Sequence, residues 1–154
     1  QFDGGHVTYG LFGFRKHKVI ATTFYVGLIF YAGLGNPYLD PALPKADLLF
    51  NIVLYAFFLY FCFSSLRQSK QQTWMFALLM TAAHVVQAFL LPQFHGYTGW
   101  LLLALLLGKL AGIEHPTSEI EEPLDGKRIV LGYIALVVFV LCFSFSPLEI
   151  TVTE

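Results

Sequence analysis

Hydrophobic residues in this chain come in long unbroken runs separated by short polar stretches. Five runs stand out, at about residues 19–35, 48–66, 73–91, 99–113 and 129–147. A bilayer core of about 30 Å takes roughly 20 apolar residues in a helix. Backbone polar groups inside lipid must be satisfied within the segment, so each run is predicted to be a helix. The fourth run is the shortest, and Lys109 near its end can extend its amine to the interface. The intervening NPYLDPALPKAD, LRQSKQQ, PQFHGYTG and EHPTSEIEEPLDGKR are rich in proline, glycine or charge and read as loops. A further helical stretch leads from Asp3 to a basic cluster at Arg15, Lys16 and Lys18. The pattern predicts an all-α, polytopic transmembrane bundle of about five spans plus a partial N-terminal helix. Its organisation divides into residues 1–18, a membrane domain over 19–148 and a short tail over 149–154. No internal repeat or low-complexity tract is visible.

Charge gives the bundle a direction. Arg15, Lys16, Lys18, Arg67, Lys70, Lys109, Lys127 and Arg128 fall at one set of alternate run ends, and Lys45 alone at the other. By the positive-inside rule, the segments at residues 14–18, 67–72 and 114–128 are cytoplasmic, and those at 36–47, 92–98 and from 148 onward lie on the far side.

Composition strengthens the membrane reading: 56% of the 154 residues are hydrophobic and only 12% charged, against roughly 45–50% and 25% in soluble domains. The formal net charge of -1 comes with nine basic residues scattered in small clusters, which does not describe a nucleic-acid surface. Cys62 and Cys142 both lie in apolar runs, so neither a disulfide framework nor a CxxC metal site is expected. Aromatic residues make up 17%, and Tyr25, Tyr31, Tyr38, Trp74, Tyr97 and Trp100 are expected as interfacial anchors near run ends.

The opening QFDGGHVTYGLFGFRKHK carries the most informative chemistry. If Arg15–Lys18 marks the cytoplasmic surface, a helix rising about 1.5 Å per residue puts Asp3 roughly 18 Å into the membrane. An ionisable group at that depth is costly and needs a partner, whether a metal, a proton or a cation. Asp3 and His6 share a helix face, and carboxylate with imidazole is a donor set that zinc accepts. Gly4 and Gly5 have no side chains, so another helix or a substrate can approach the acid. The same residues also read as a surface turn with His6 a satisfied polar group.

This opening resembles the LDGG(H/R) segment of site-2 protease family intramembrane zinc metalloproteases. Downstream, GIEHPTSEIEEPLDGKRIVLGYIALVVFVLCFSFSPL is similar to the C-terminal HPP and PLD segment of bacterial members, in the same order. The two stretches cover about a third of the chain. The resemblance implies that Asp3 is one protein ligand of a catalytic zinc, the other ligands being the two histidines of an HExxH helix. It implies hydrolysis of peptide bonds in membrane-embedded substrates by zinc-activated water, with the HExxH glutamate as base. Gly4, Gly5 and His6 then belong to the motif around that ligand, the glycines allowing close approach and His6 supporting the ligand or the packing of its helix. Phe2 stands where the family has leucine, and no HExxH occurs between Gln1 and Glu154. The expectation is therefore the C-terminal part of such an enzyme, inactive alone, whose N-terminal part supplies the HExxH helix. The expected partners are the lipid bilayer, a transmembrane substrate and that N-terminal part, with no nucleic acid. The expected location is a bacterial inner membrane.

His84 and Gln87 stand one turn apart within the third run and form a possible intramembrane polar pair, either bonding between helices or lining a path. His95 and His115 fall in loops on opposite sides and are not expected to join Asp3. Glu119, Glu121, Glu122 and Asp125 read as a solvated loop balanced by Lys127 and Arg128. An alternative from another class is a non-enzymatic polytopic transporter or scaffold, with Asp3 as an ion or proton site and His84 and Gln87 along a path.

Overall fold

The computed structural model describes residues 3–66, 68–110 and 124–144, the side chain of Asp3 excepted. These residues form five α-helices and no strand: α1 (Asp3–Gly33), α2 (Lys45–Phe63), α3 (Lys70–Leu90), α4 (Gly99–Leu110) and α5 (Gly126–Cys142). The acidic residues Glu119, Glu121 and Glu122, together with His115 and the tail from residue 145, lie outside the described part.

Local chemistry sets the helix ends. Ser69 accepts from the Gln72 amide while the Gln72 side chain answers the Ser69 amide, a capping box that starts α3 at Lys70. Asp125 accepts from the Arg128 amide at 2.8 Å and starts α5. Pro44, whose ring fixes φ and removes a donor, precedes α2, so that helix begins three residues before the hydrophobic run at Leu48.

The one large departure from the expected elements is in α1. Residues 14–18 were expected as a surface segment between two helices; they are helical, and the break narrows to Gly13. Gly13 has φ 72° and ψ 171°, a region essentially closed to residues with a Cβ. It divides α1 into a first arm, residues 3–12, and a second arm, residues 14–33. The arms fold back on each other. Thr8 Oγ1 lies 2.8 Å from His17 Nδ1, whereas nine residues along a straight helix would separate the two backbones by about 13.5 Å.

The second arm, α2, α3, α4 and α5 alternate in direction. Tyr25 meets Cys62 and Ala104, while Phe30 and Gly33 meet His84, so the second arm runs against α2 and α4 and along α3. Phe12 stacks edge-on against Tyr133, and Phe24 reaches Phe139 and Phe143, so α5 runs in the same sense as the second arm. Arg15, Lys16, Lys18, Lys70, Lys109, Lys127 and Arg128 consequently gather at one end of the bundle. Lys45 is at the other.

A core of Ile29, Leu39, Leu59, Phe63, Ala77 and Ala104 joins the second arm, α2, α3 and α4. Tyr25, expected as an interfacial anchor, is buried in it and donates toward the carbonyls of Cys62 and Ala104 at 3.0 and 3.1 Å. Trp74, half-buried near the start of α3, stacks on Tyr60 at 4.5 Å between ring centres and edge-on against the exposed Phe57. The outside is apolar: Leu90 is 72% exposed and Leu141 78%, and α5 buries no residue at all. Lys45–Leu66 and Lys70–Leu90 are long and apolar enough to cross a membrane, with mean hydropathies of 1.9 and 1.5. Gly99–Leu110 is apolar but shorter.

Candidate functional site

Two polar groupings lie at opposite ends of the bundle. The first surrounds His84, which is fully buried. Its Nε2 is 3.0 Å from the carbonyl oxygen of Phe30, which can only accept, so Nε2 carries the ring proton. Nδ1 is then the acceptor for the Tyr55 hydroxyl at 2.9 Å. One neutral tautomer satisfies both contacts, and both nitrogens are used. The Phe30 ring stacks on the imidazole, and Gly33 lets it lie flush against α1, since a Cβ there would be 2.5 Å from both His84 Nε2 and the Tyr55 oxygen.

One turn on, the Gln87 side chain ties two loops together. Its Oε1 accepts from the Gly35 amide at 3.0 Å, and its Nε2 donates to the carbonyls of Leu91 and Phe94 at 2.7 and 3.0 Å. Gly96 donates to the Leu34 carbonyl at 2.8 Å and packs directly on the Tyr31 backbone. His95 is exposed in the same loop, against Gly35. His84 and Gln87 thus bond three segments together. With both ring nitrogens engaged, His84 offers no lone pair to a metal.

The second grouping is the fold-back at Gly13. Asp3 begins the first arm, and its backbone is helical; its side chain lies outside the described atoms. His6 is exposed and Gly5 half-buried. Thr8 Oγ1 donates to the Gly5 carbonyl at 3.0 Å, which leaves its lone pair for the His17 Nδ1 proton. His17 is buried, set edge-on to Tyr9 at 5.9 Å between ring centres, and its Cε1 would lie 3.8 Å from a Cβ at Gly5. The sequence reading passed over His17, since among three basic neighbours it looks like one more surface residue. The available signal was its spacing from Gly13, which gains meaning only once the helix is known to double back.

Among the described residues no three His, Cys, Asp or Glu side chains gather as a metal would need. Neither His84 nor His95 is brought beside the first arm that carries Asp3 and His6. Comparison with protein-family models, curated proteins and solved structures finds no match for the chain.

Proposed function

We propose that the chain is the C-terminal part of an intramembrane zinc metalloendopeptidase, with Asp3 supplying one zinc ligand and an HExxH helix elsewhere in the protein supplying the rest. The observation that carries the reading is the fold-back at Gly13. From a corner beside Arg15, Lys16 and Lys18, the arm that begins with Asp3 turns back along the bundle. Ten residues of helix put Asp3 about 15 Å from that corner. The resemblance of FDGGH to the zinc-ligand motif of site-2 proteases, and of the segment around Pro123–Arg128 to their C-terminal segment, points the same way.

The membrane setting of this reading is about five spans in a bacterial inner membrane, the basic end facing the cytoplasm. Its support is the inverted polarity of the bundle. His84, Gln87, Thr73 and Thr81 are buried while leucines and phenylalanines face outward, an arrangement that soluble proteins avoid and lipid favours. Bound zinc would supply a Lewis acid and an activated water. The chain's own part is to supply the Asp3 carboxylate from a helix whose Gly4 and Gly5 carry no side chains.

The test is metal analysis of the full-length protein in detergent. Stoichiometric zinc that is lost on Asp3→Ala supports the proposal. An upstream coding sequence without HExxH overturns it, as does ion-coupled flux in liposomes without zinc, which would favour the transporter alternative.

A further inference from the structure

His17 is a costly residue to bury at the basic end of an apolar bundle. Its three immediate neighbours in sequence that carry charge, Arg15, Lys16 and Lys18, are all exposed, while His17 turns inward. The first arm meets it at three places: Thr8 through a 2.8 Å hydrogen bond, Tyr9 through an edge-on ring contact, and Gly5 through close approach of Cε1. The three contacts fall at residues 5, 8 and 9, the inner face of a helix with a 3.6-residue repeat. The Gly13 turn permits the arms to meet but does not hold them, because a glycine at the corner has more backbone freedom than any other residue. Thr8 is also committed. Its hydroxyl proton goes to the Gly5 carbonyl, so its oxygen is aimed at His17, and the hydrogen bond orients the ring as well as anchoring it.

Resting on the protease reading above, we infer that His17 is a positioning residue, which clasps the Asp3-bearing arm through Thr8 and Tyr9 and so fixes where Asp3 is offered to the metal. It touches neither substrate nor metal in this role. A ligand carried on a swinging arm would pay an ordering cost each time the metal bound, and a clasped arm has met that cost on folding.

The test uses the full-length protein with two readouts. Spin labels at Val7→Cys and Ile20→Cys, in a Cys142→Ser background, report the separation of the arms without reference to zinc. Chelator competition reports zinc affinity. His17→Ala is expected to lengthen and broaden the label distance and to weaken zinc about tenfold or more, the scale seen when groups supporting a metal ligand are removed. His17→Asn, whose amide reaches the place of Nδ1, is expected to restore both. Thr8→Val is expected to mimic His17→Ala, and Thr8→Ser to behave as the wild type. Unchanged distance and affinity in His17→Ala overturn the inference. Zinc lost with the distance unchanged overturns it too, since His17 would then act on the metal directly. If the wild type binds no zinc, the protease reading falls and the metal half of the inference with it, while the label distance still decides whether His17 is the clasp.

Discussion

The two ends of the bundle solve the problem of buried polarity in opposite ways. At the far end, Tyr55 of α2 bonds His84 of α3, His84 and Gln87 meet backbone groups of α1 and two loops, and Gly33, Gly35 and Gly96 allow close approach there. Each polar group there has several partners, so the arrangement is over-determined. At the basic end, the first arm of α1 doubles back across one glycine, and His17 of the second arm meets Gly5, Thr8 and Tyr9 of the first. α5 lies alongside with no buried residue of its own. One end is tied at several points, while the other turns on a single glycine. The difference can be broken by substitution, and the expected costs fall from the first end to the second.

The largest effect is expected from Gly96→Ala. A Cβ there would fall on the Tyr31 carbonyl, which is helix backbone and cannot rotate away as a side chain would. The loop must lift, breaking the Gly96–Leu34 hydrogen bond and pulling on Phe94, which Gln87 holds. A loss of about 3 kcal/mol or more is expected, at the upper end for overpacking. Thermal unfolding in detergent measures it, and a loss below 1 kcal/mol would show that the far end is softer than its geometry.

Gln87→Leu comes next. It preserves volume and removes one acceptor and two donated bonds at once. The Leu91 carbonyl keeps the Phe94 amide at 3.2 Å, so the groups left wanting are the Gly35 amide and the Phe94 carbonyl. With about 1–3 kcal/mol for a buried unsatisfied group, and water able to reach a loop, a net loss of about 2 kcal/mol is expected. If the ties are independent of the imidazole, Gln87→Leu and Tyr55→Phe should add; a coupling above about 0.5 kcal/mol in the double mutant would join them into one network.

How far the sequence could reveal this follows the same division. Helices α2 and α3 were legible because each is a run of apolar residues of membrane-crossing length between polar loops, and period and length are local properties. The alternation of direction was legible for the same reason, since it follows from where lysine and arginine stop the runs. The burial of Tyr25 was not: a tyrosine near a run end looks like an anchor, and its inward role depends on the Cys62 and Ala104 carbonyls, distant in sequence. The corner at Gly13 was misplaced because Arg15, Lys16 and Lys18 are polar enough to suggest a surface segment, yet lysine and arginine are good helix formers. A positive φ at one glycine leaves no mark on hydropathy. His17 was hidden with it, its meaning resting on a fold-back that charge pattern had moved a turn too late.

The largest effect on geometry is expected from one glycine, which separates backbone strain from packing. Neither Gly13 nor Gly27 has any atom within 4 Å of where a Cβ would stand, so an added methyl meets nothing at either position. They differ in backbone alone. Gly27 lies within the second arm with ordinary helical geometry, and Gly27→Ala is expected to stabilise by up to about 1 kcal/mol through helix propensity. Gly13 holds φ 72° with ψ 171°, and Gly13→Ala is expected to cost about 1–3 kcal/mol of strain. The chain has a route to escape that strain, which is to straighten α1 and release His17 from Thr8. Circular dichroism should therefore stay the same or rise slightly in helix content, while the distance between labels on the two arms lengthens. If Gly13→Ala leaves that distance unchanged, the packing of α5 on Leu11 and Phe12, together with the His17 contacts, holds the fold-back against the strain. The basic end would then be as over-determined as the far one.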